Sequence, residues 1–219
     1  YGSIMDTINQ SYIVEYLYKN LKEKSYFLNA LEKEALENHI PIISPEVGQF
    51  LRFLIKLNNP KRVLEVGTAI GFSGLVMLDA SKDIEKLVTI EKREDLAEIA
   101  LKNIEEANEK KRVELKVGDA LEVLTSMDNT FDFVFIDEAK GHYGEYFEEI
   151  KKMITPKGVI VCDNVLYKGM VANDDLVLRR KKTIVKRLRN FIKEVTYLDD
   201  YESTLIPMGD GLLVIAMLN

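Results

Sequence analysis

"VLEVGTAIGFSG" (63–74) decides the fold. An apolar run closes on Glu65 and Val66, and glycines follow at 67, 71 and 74. A buried strand that runs directly into a glycine-rich turn and then an apolar helix is the opening unit of a strand–helix–strand fold. The glycines allow a tight turn and a close approach to a ligand. Their spacing is not G-x-G-x-x-G, so the dinucleotide pattern is absent.

Working outward, the same rhythm repeats. "RVLEV" (62–66), "KLVTIE" (86–91), "RVELKV" (112–117), "FDFVFID" (131–137) and "GVIVCD" (158–163) are short β-rich runs. Helical patterns at 72–80, 94–109, 119–126 and 143–154 separate them. Near-continuous apolar strands alternating with helices predict a parallel sheet covered on both faces. A longer helix is expected over 175–194. "STLIPMGDGLLVIAML" (203–218) reads as two strands around a Gly-Asp-Gly turn, an antiparallel hairpin at the sheet edge. Before the first strand, residues 4–39 predict two helices, with Ile8, Tyr12 and Tyr16 and then Leu28, Leu31 and Ala35 at helical spacing. Ser44 is positioned to cap a third helix that starts at Pro45 and runs to about Leu57. The expected organisation is one domain over 1–219, a helical part at 4–57 joined to an α/β core at 60–219.

Composition narrows the class. The 219 residues are 47% hydrophobic and 30% charged, with net charge −6, as in a globular protein and not one coated in nucleic acid. A single cysteine, Cys162, lies in an apolar run and predicts a buried thiol in a reducing compartment. No run has the length of a membrane span, and no signal peptide is evident, so the cytoplasm is expected.

In a parallel sheet, ligands gather beyond the carboxyl ends of the strands. Gly67 and Gly71 follow the first strand. Glu91 ends the second, placed to accept from ribose hydroxyls. Asp119 follows the third and has two readings, an adenine contact or a helix cap. Glycines and then two acids at three successive strand ends fit an adenosine without a pyrophosphate, S-adenosylmethionine better than NAD. Asp137 ends the fourth strand, and Asp163 with Asn164 ends the fifth. Two carboxylates and an amide oxygen form a hard donor set suited to Mg²⁺, with Ca²⁺ or Mn²⁺ as alternatives. The competing reading is a pair of helix caps or salt-bridge partners. Lys140, three residues past Asp137, is either a general base or a solvated lysine. His39 and His142 read as structural or surface residues.

"LEVGTAIGFSG", the strand-terminal Glu91, "GDA", "FIDEAKGHY" and "DNVLYKG" together resemble the cation-dependent O-methyltransferases, the family of catechol and caffeoyl-CoA methyltransferases. The resemblance runs from His39 to the C-terminus. It implies a Rossmann-like seven-stranded class I methyltransferase fold, S-adenosylmethionine and Mg²⁺. Carried over by residue, Asp137, Asp163 and Asn164 are the expected metal ligands, and Lys140 with Asp137 the catalytic pair. Gly67, Ser73, Glu91, Asp119 and Ala120 are the expected cofactor site, lined also by Glu65, Thr68, Asp137 and Tyr143. Glu138 departs from the family's usual alanine and adds a negative charge near the metal position.

"NHIPIISPE", "DNVLYKGMVA", "RRKKT" and "LIPMGDGL" resemble the bacterial subgroup that methylates 5-hydroxyuridine at the tRNA wobble position to 5-methoxyuridine. "RRKKTIVKRLR" (179–189) holds seven basic residues and no acid. Arg179, Arg180, Lys181 and Lys182 are therefore the expected RNA contacts. The alternatives are a solvated face of an amphipathic helix, or a partner for acids of a second subunit. Three functions follow: a tRNA O-methyltransferase, a small-molecule catechol-type O-methyltransferase, and a non-catalytic nucleoside-binding module. The resemblance also implies a homodimer, with the helices of residues 4–39 as interface or lid.

Overall fold

The computed structural model describes residues 8–218. The first four residues of the predicted 4–39 helical region lie outside the described residues. Three helices come first: α1 (Ser11–Lys19), α2 (Tyr26–Glu37) and α3 (Pro45–Asn58). The α/β part follows as β1 (Arg62–Val66), α4 (Phe72–Ala80), β2 (Lys86–Glu91), α5 (Glu94–Glu106), β3 (Val113–Val117), α6 (Ala120–Ser126), β4 (Phe131–Ile136), α7 (Tyr143–Ile150) and β5 (Ile154–Cys162). The chain closes with α8 (Lys182–Thr196), β6 (Tyr201–Ile206) and β7 (Leu212–Met217).

The strands form one sheet in the order β3-β2-β1-β4-β5-β7-β6. β1 to β5 pair in parallel, and β7 joins β5 and β6 antiparallel. The predicted mostly parallel sheet with a C-terminal antiparallel hairpin is what forms. The order reverses at β1, which lies between β2 and β4, so the turns after β1 and β4 open a crevice at the switch point. Phe133 and Phe135 of β4, Leu51 and Ile55 of α3, and Leu28 and Leu31 of α2 share one buried cluster, so the N-terminal helices complete the core on that face. The opposite face is sealed by Tyr143, Phe147 and Phe191, whose rings meet edge-on.

Four local readings are corrected. The helix predicted over 143–154 stops at Ile150, and β5 already begins at Ile154. Pro156 disfavours helix in the residue before it, and Lys157 (φ 64°) bends the strand where its register with β4 shifts. The helix predicted from 175 begins only at Lys182, because Asn173 caps a separate turn at Asp174–Leu176 and Val177 and Leu178 are extended. Arg179–Lys181 thus form their own 3₁₀ turn ahead of α8. Ser44 sits at the start of α3, but its hydroxyl makes no cap bond and is buried without a partner among the described residues. On α1 the spacing is helical but the face is reversed: Tyr12 and Tyr16 are 68% and 69% exposed, and Val14 is the buried residue.

Candidate active site

The turn after β1 shows why glycine is needed there. Gly67 adopts φ 102°, and a β-carbon on it would lie 2.3 Å from the backbone oxygen of Asp137. Gly67 therefore lets the ends of β1 and β4 approach each other. Gly67 also lines the cleft beside the turn. Gly71 (φ 85°) is the left-handed residue from which α4 starts. Gly74 lies against Leu87 and the Glu65 carboxylate, at 2.9 and 3.0 Å from a built β-carbon, so α4 rides close on the sheet.

Glu91 fixes this turn. Its 6%-exposed carboxylate accepts from the backbone N–H groups of Ala69 and Arg93, both at 2.8 Å. Each carboxylate oxygen keeps a second lone pair for a ligand hydroxyl. A cleft of about 360 Å³ opens beside it, a size suited to a small organic ligand. Gly67, Thr68, Ser73, Glu91 and Asp137 are among the residues lining it, together with Glu138.

Four expected cofactor residues lie outside the lining of this cleft. Glu65 is fully buried beneath the turn, where Ser73 and Thr89 each donate a hydroxyl to it at 2.5 Å. Tyr143 is 1% exposed, and its hydroxyl donates to the Asp163 carbonyl at 2.8 Å, so it supports the site from the core. Ala120 is buried at the start of α6 and does not line the cleft. Asp119 takes up the capping reading: it accepts from the Leu121 N–H and pairs with Lys92 at 2.9 Å. It is also outside the lining of the cleft.

Burial raises the Glu65 carboxyl from an ordinary 4.5 to about 7, with Ser73 and Thr89 opposing the rise. A carboxyl raised on folding favours the folded state at low pH, and that contribution is lost as pH climbs from about 4.5 to about 7. Glu65→Gln keeps an amide in the hydroxyl network and removes the titration. The variant is expected to gain stability relative to the parent as pH rises from 5 to 8, by on the order of 3 kcal/mol. Denaturant melts of both proteins across that range check this, and parallel pH profiles would refute it.

The fourth and fifth strand ends come together. Asp163 donates its backbone N–H to Ile136 at 2.9 Å, and Asp137 donates its own to Val66 at 2.8 Å, so adjacent tips carry both acids. Asp163 is 3% exposed, and burial, followed by the charge of Asp137, raises its carboxyl to about 8. Asn164 (φ 56°) donates its backbone N–H and its side-chain Nδ2 to Asp163 Oδ1, at 2.6 and 3.2 Å. Its amide oxygen is not used in that contact. Lys140 forms an ion pair with Asp137. Among the described residues no cluster of three or more His, Cys, Asp or Glu forms a metal site, so the donor set here is two carboxylates and one amide. A buried carboxyl held up partly by its neighbour's charge is what a bound cation would relieve, and the set fits a hard divalent ion.

The basic run divides by role. Arg189 is structural: its guanidinium donates to the carbonyls of Val171 and Met170 and pairs with Asp174. Arg187 donates to the Gly141 carbonyl at 3.2 Å, next to Lys140. Lys181 Nζ lies 5.5 Å from the ring centroid of Tyr167, in the loop that follows Asn164. Arg179, Arg180, Lys182 and Lys186 are exposed, with no ion pair among the described residues. Val185, Leu188, Phe191 and Val195 form the buried stripe of α8.

Sequence reasoning missed Pro41, Ile42 and Ile43, which line the cleft from the loop before α3, and Lys92, Arg93 and Leu96 beyond β2. No local signal marks the first three, because only the packing of α3 on α4 brings that loop to the strand ends. The strand-end rule could have reached Lys92 and Arg93, which directly follow Glu91.

Residues 19–218 match the O-methyltransferase family model. The chain belongs to that family. A caffeoyl-CoA O-methyltransferase of Nicotiana tabacum is 33% identical over 185 residues, covering 80% of this chain and 75% of the relative. The O-methyltransferase TomG from Streptomyces achromogenes, involved in tomaymycin synthesis and solved with SAM, superposes with TM-score 0.82 at 30% identity. That match covers 95% of this chain and 96% of TomG. The Bacillus cereus O-methyltransferase, solved with SAH, gives TM-score 0.81 at 29% identity, covering 94% and 97%. The resemblance to O-methyltransferases and the class I fold are both borne out, and a non-catalytic nucleoside module is set aside.

Proposed function

We propose that this enzyme uses S-adenosylmethionine and a divalent cation to methylate the 5-hydroxyl of 5-hydroxyuridine at the tRNA wobble position. The carrying observation is the run Arg179–Lys182, exposed except for half-buried Lys181, with exposed Lys186; Lys181 lies over Tyr167 in the loop after Asn164, and Arg187 of the same helix reaches the loop of Lys140. A site rimmed by cations without an ion pair among the described residues, in a protein of net charge −6, suits an acceptor carried on a phosphate backbone.

The cleft would hold the cofactor with its ribose on Glu91 and its methionine portion along the turn at Gly67 and Thr68. S-adenosylmethionine supplies an electrophilic methyl group and leaves as a neutral thioether. Asp137, Asp163 and Asn164 would hold the cation, which supplies positive charge that makes a nearby enolic hydroxyl more acidic. Lys140, which pairs with Asp137, would become a proton acceptor once a cation held at Asp137 disfavours its ammonium form, and its neutral amine would then take the hydroxyl proton. The freed oxygen forms its bond to the methyl carbon as the carbon–sulfur bond breaks. Holding both reactants in one crevice contributes much of the rate.

Reversing Arg179, Arg180, Lys181 and Lys182 to glutamate is expected to weaken tRNA binding by about 100-fold or more and to make its log–log salt dependence shallower by about 3. SAH binding is expected to be unchanged. Filter binding across a salt series, with calorimetry for SAH, checks this. Unaltered tRNA affinity would remove the observation on which the RNA reading stands.

The second reading, a small-molecule methyltransferase of catechol or caffeoyl-CoA type, is favoured by the names of the curated relatives. The same site chemistry serves it.

A further inference from the structure

The loop that leaves β5 carries Asn164 and runs through an unusual series of left-handed residues. Asn164 (φ 56°), Tyr167 (φ 48°) and Lys168 (φ 56°) are followed by Gly169 (φ 77°). Left-handed backbone is disfavoured for residues with a β-carbon, so several in one loop must be held from outside. The holder is the turn between β6 and β7. Val165 N–H donates to the Gly211 carbonyl at 3.0 Å, and Leu166 N–H to the Asp210 carbonyl at 3.1 Å. Lys168 N–H donates to Asp210 Oδ1 at 2.6 Å. Gly211 is pressed against Leu166, where a β-carbon would come within 2.4 Å. The turn is itself anchored: Asn9 Nδ2 donates to the Pro207 carbonyl at 2.8 Å, and Gly209 packs on Val47 of α3.

We propose that Asp210 is a positioning residue for methyl transfer: by accepting from the Lys168 N–H it locks the left-handed loop that presents Asn164 beside Asp163. The inference rests on the reading of Asp137, Asp163 and Asn164 as cation ligands. Asp210 acts through Asn164 and sits outside the lining of the cofactor cleft. It is near enough to Asp163 for its charge to help hold that carboxyl up.

The test compares Asp210→Ala with Asp210→Asn, which keeps an oxygen acceptor for the Lys168 amide. Hydrogen exchange of the amides at 165–169, Mn²⁺ binding by calorimetry and SAH binding are measured on each full-length protein. Asp210→Ala is expected to speed exchange in that loop and weaken Mn²⁺ by about 10- to 100-fold, with SAH affinity unchanged. Asp210→Asn is expected to restore both. The proposal is overturned by unchanged exchange and Mn²⁺ affinity in Asp210→Ala. It is also overturned by a parallel loss of SAH and Mn²⁺ binding, which marks general destabilisation, or by an asparagine variant as impaired as the alanine one. If the unaltered protein bound no Mn²⁺, the cation reading would fall instead, and faster exchange confined to 165–169 would still support the lock.

Discussion

Asp163→Asn is expected to abolish methyl transfer and, in the same protein without metal, to raise the melting temperature. Asp163 is 3% exposed and shares its corner with Asp137, so its charged form is both desolvated and repelled. Asparagine keeps the oxygen that accepts from the Asn164 N–H and removes the charge. Relieving a buried unpaired charge is worth roughly 1–3 kcal/mol, or several degrees for a chain of this length. The catalytic cost runs the other way. If Asp163 holds the proposed cation, losing that anionic ligand would remove about 4 kcal/mol of transition-state stabilisation, about 1,000-fold in rate. Calorimetric melting in EDTA together with turnover in Mg²⁺ checks both halves. A variant that is less stable and still active would show Asp163 to be a structural cap.

Gly67→Ala is expected to be the most damaging small substitution near the cleft. The new methyl group would meet the Asp137 carbonyl at 2.3 Å with φ at 102°, and its other near neighbours are backbone atoms that cannot rotate away. A loss of about 3 kcal/mol or more is expected, a fall in melting temperature of roughly 6–12 °C. Gly71→Ala supplies the control. Its φ of 85° is strained too, but a β-carbon there meets Ala100 at an ordinary 3.5 Å, so the cost is about 1 kcal/mol. Thermal melts of both variants without ligand decide the matter. A Gly67→Ala protein that melts normally and only binds SAH poorly would contradict the strand-contact explanation.

The parts of this molecule legible in the sequence were those written in local pattern. Short apolar runs marked β1 to β5, and the strand-end rule led from them to Glu91, Asp137, Asp163 and Asn164. The roles that depend on depth were not legible. Glu65 and Tyr143 have the chemistry of ligand-contacting groups, but a strand end does not reveal which side chains turn beneath it. Gly67 was marked for ligand approach, but sequence could not show that the end of β4 also presses against it. Tyr12 and Tyr16 keep helical spacing while facing outward, because periodicity finds a face without saying what covers it. Pro41–Ile43 reach the cleft only through tertiary packing. The break between Leu178 and α8 was hidden because a basic run and a helical stripe overlap in the same residues.

The most direct test of the account is methyl transfer from labelled S-adenosylmethionine in Mg²⁺, offered tRNA carrying 5-hydroxyuridine or a panel of catechols, each with an EDTA control. The account predicts label in the tRNA at the hydroxyuridine, lost in EDTA. Label in the catechols alone would contradict the RNA substrate and return the basic run to a solvated face. Label in tRNA that persists in EDTA would contradict the cation site at Asp137, Asp163 and Asn164.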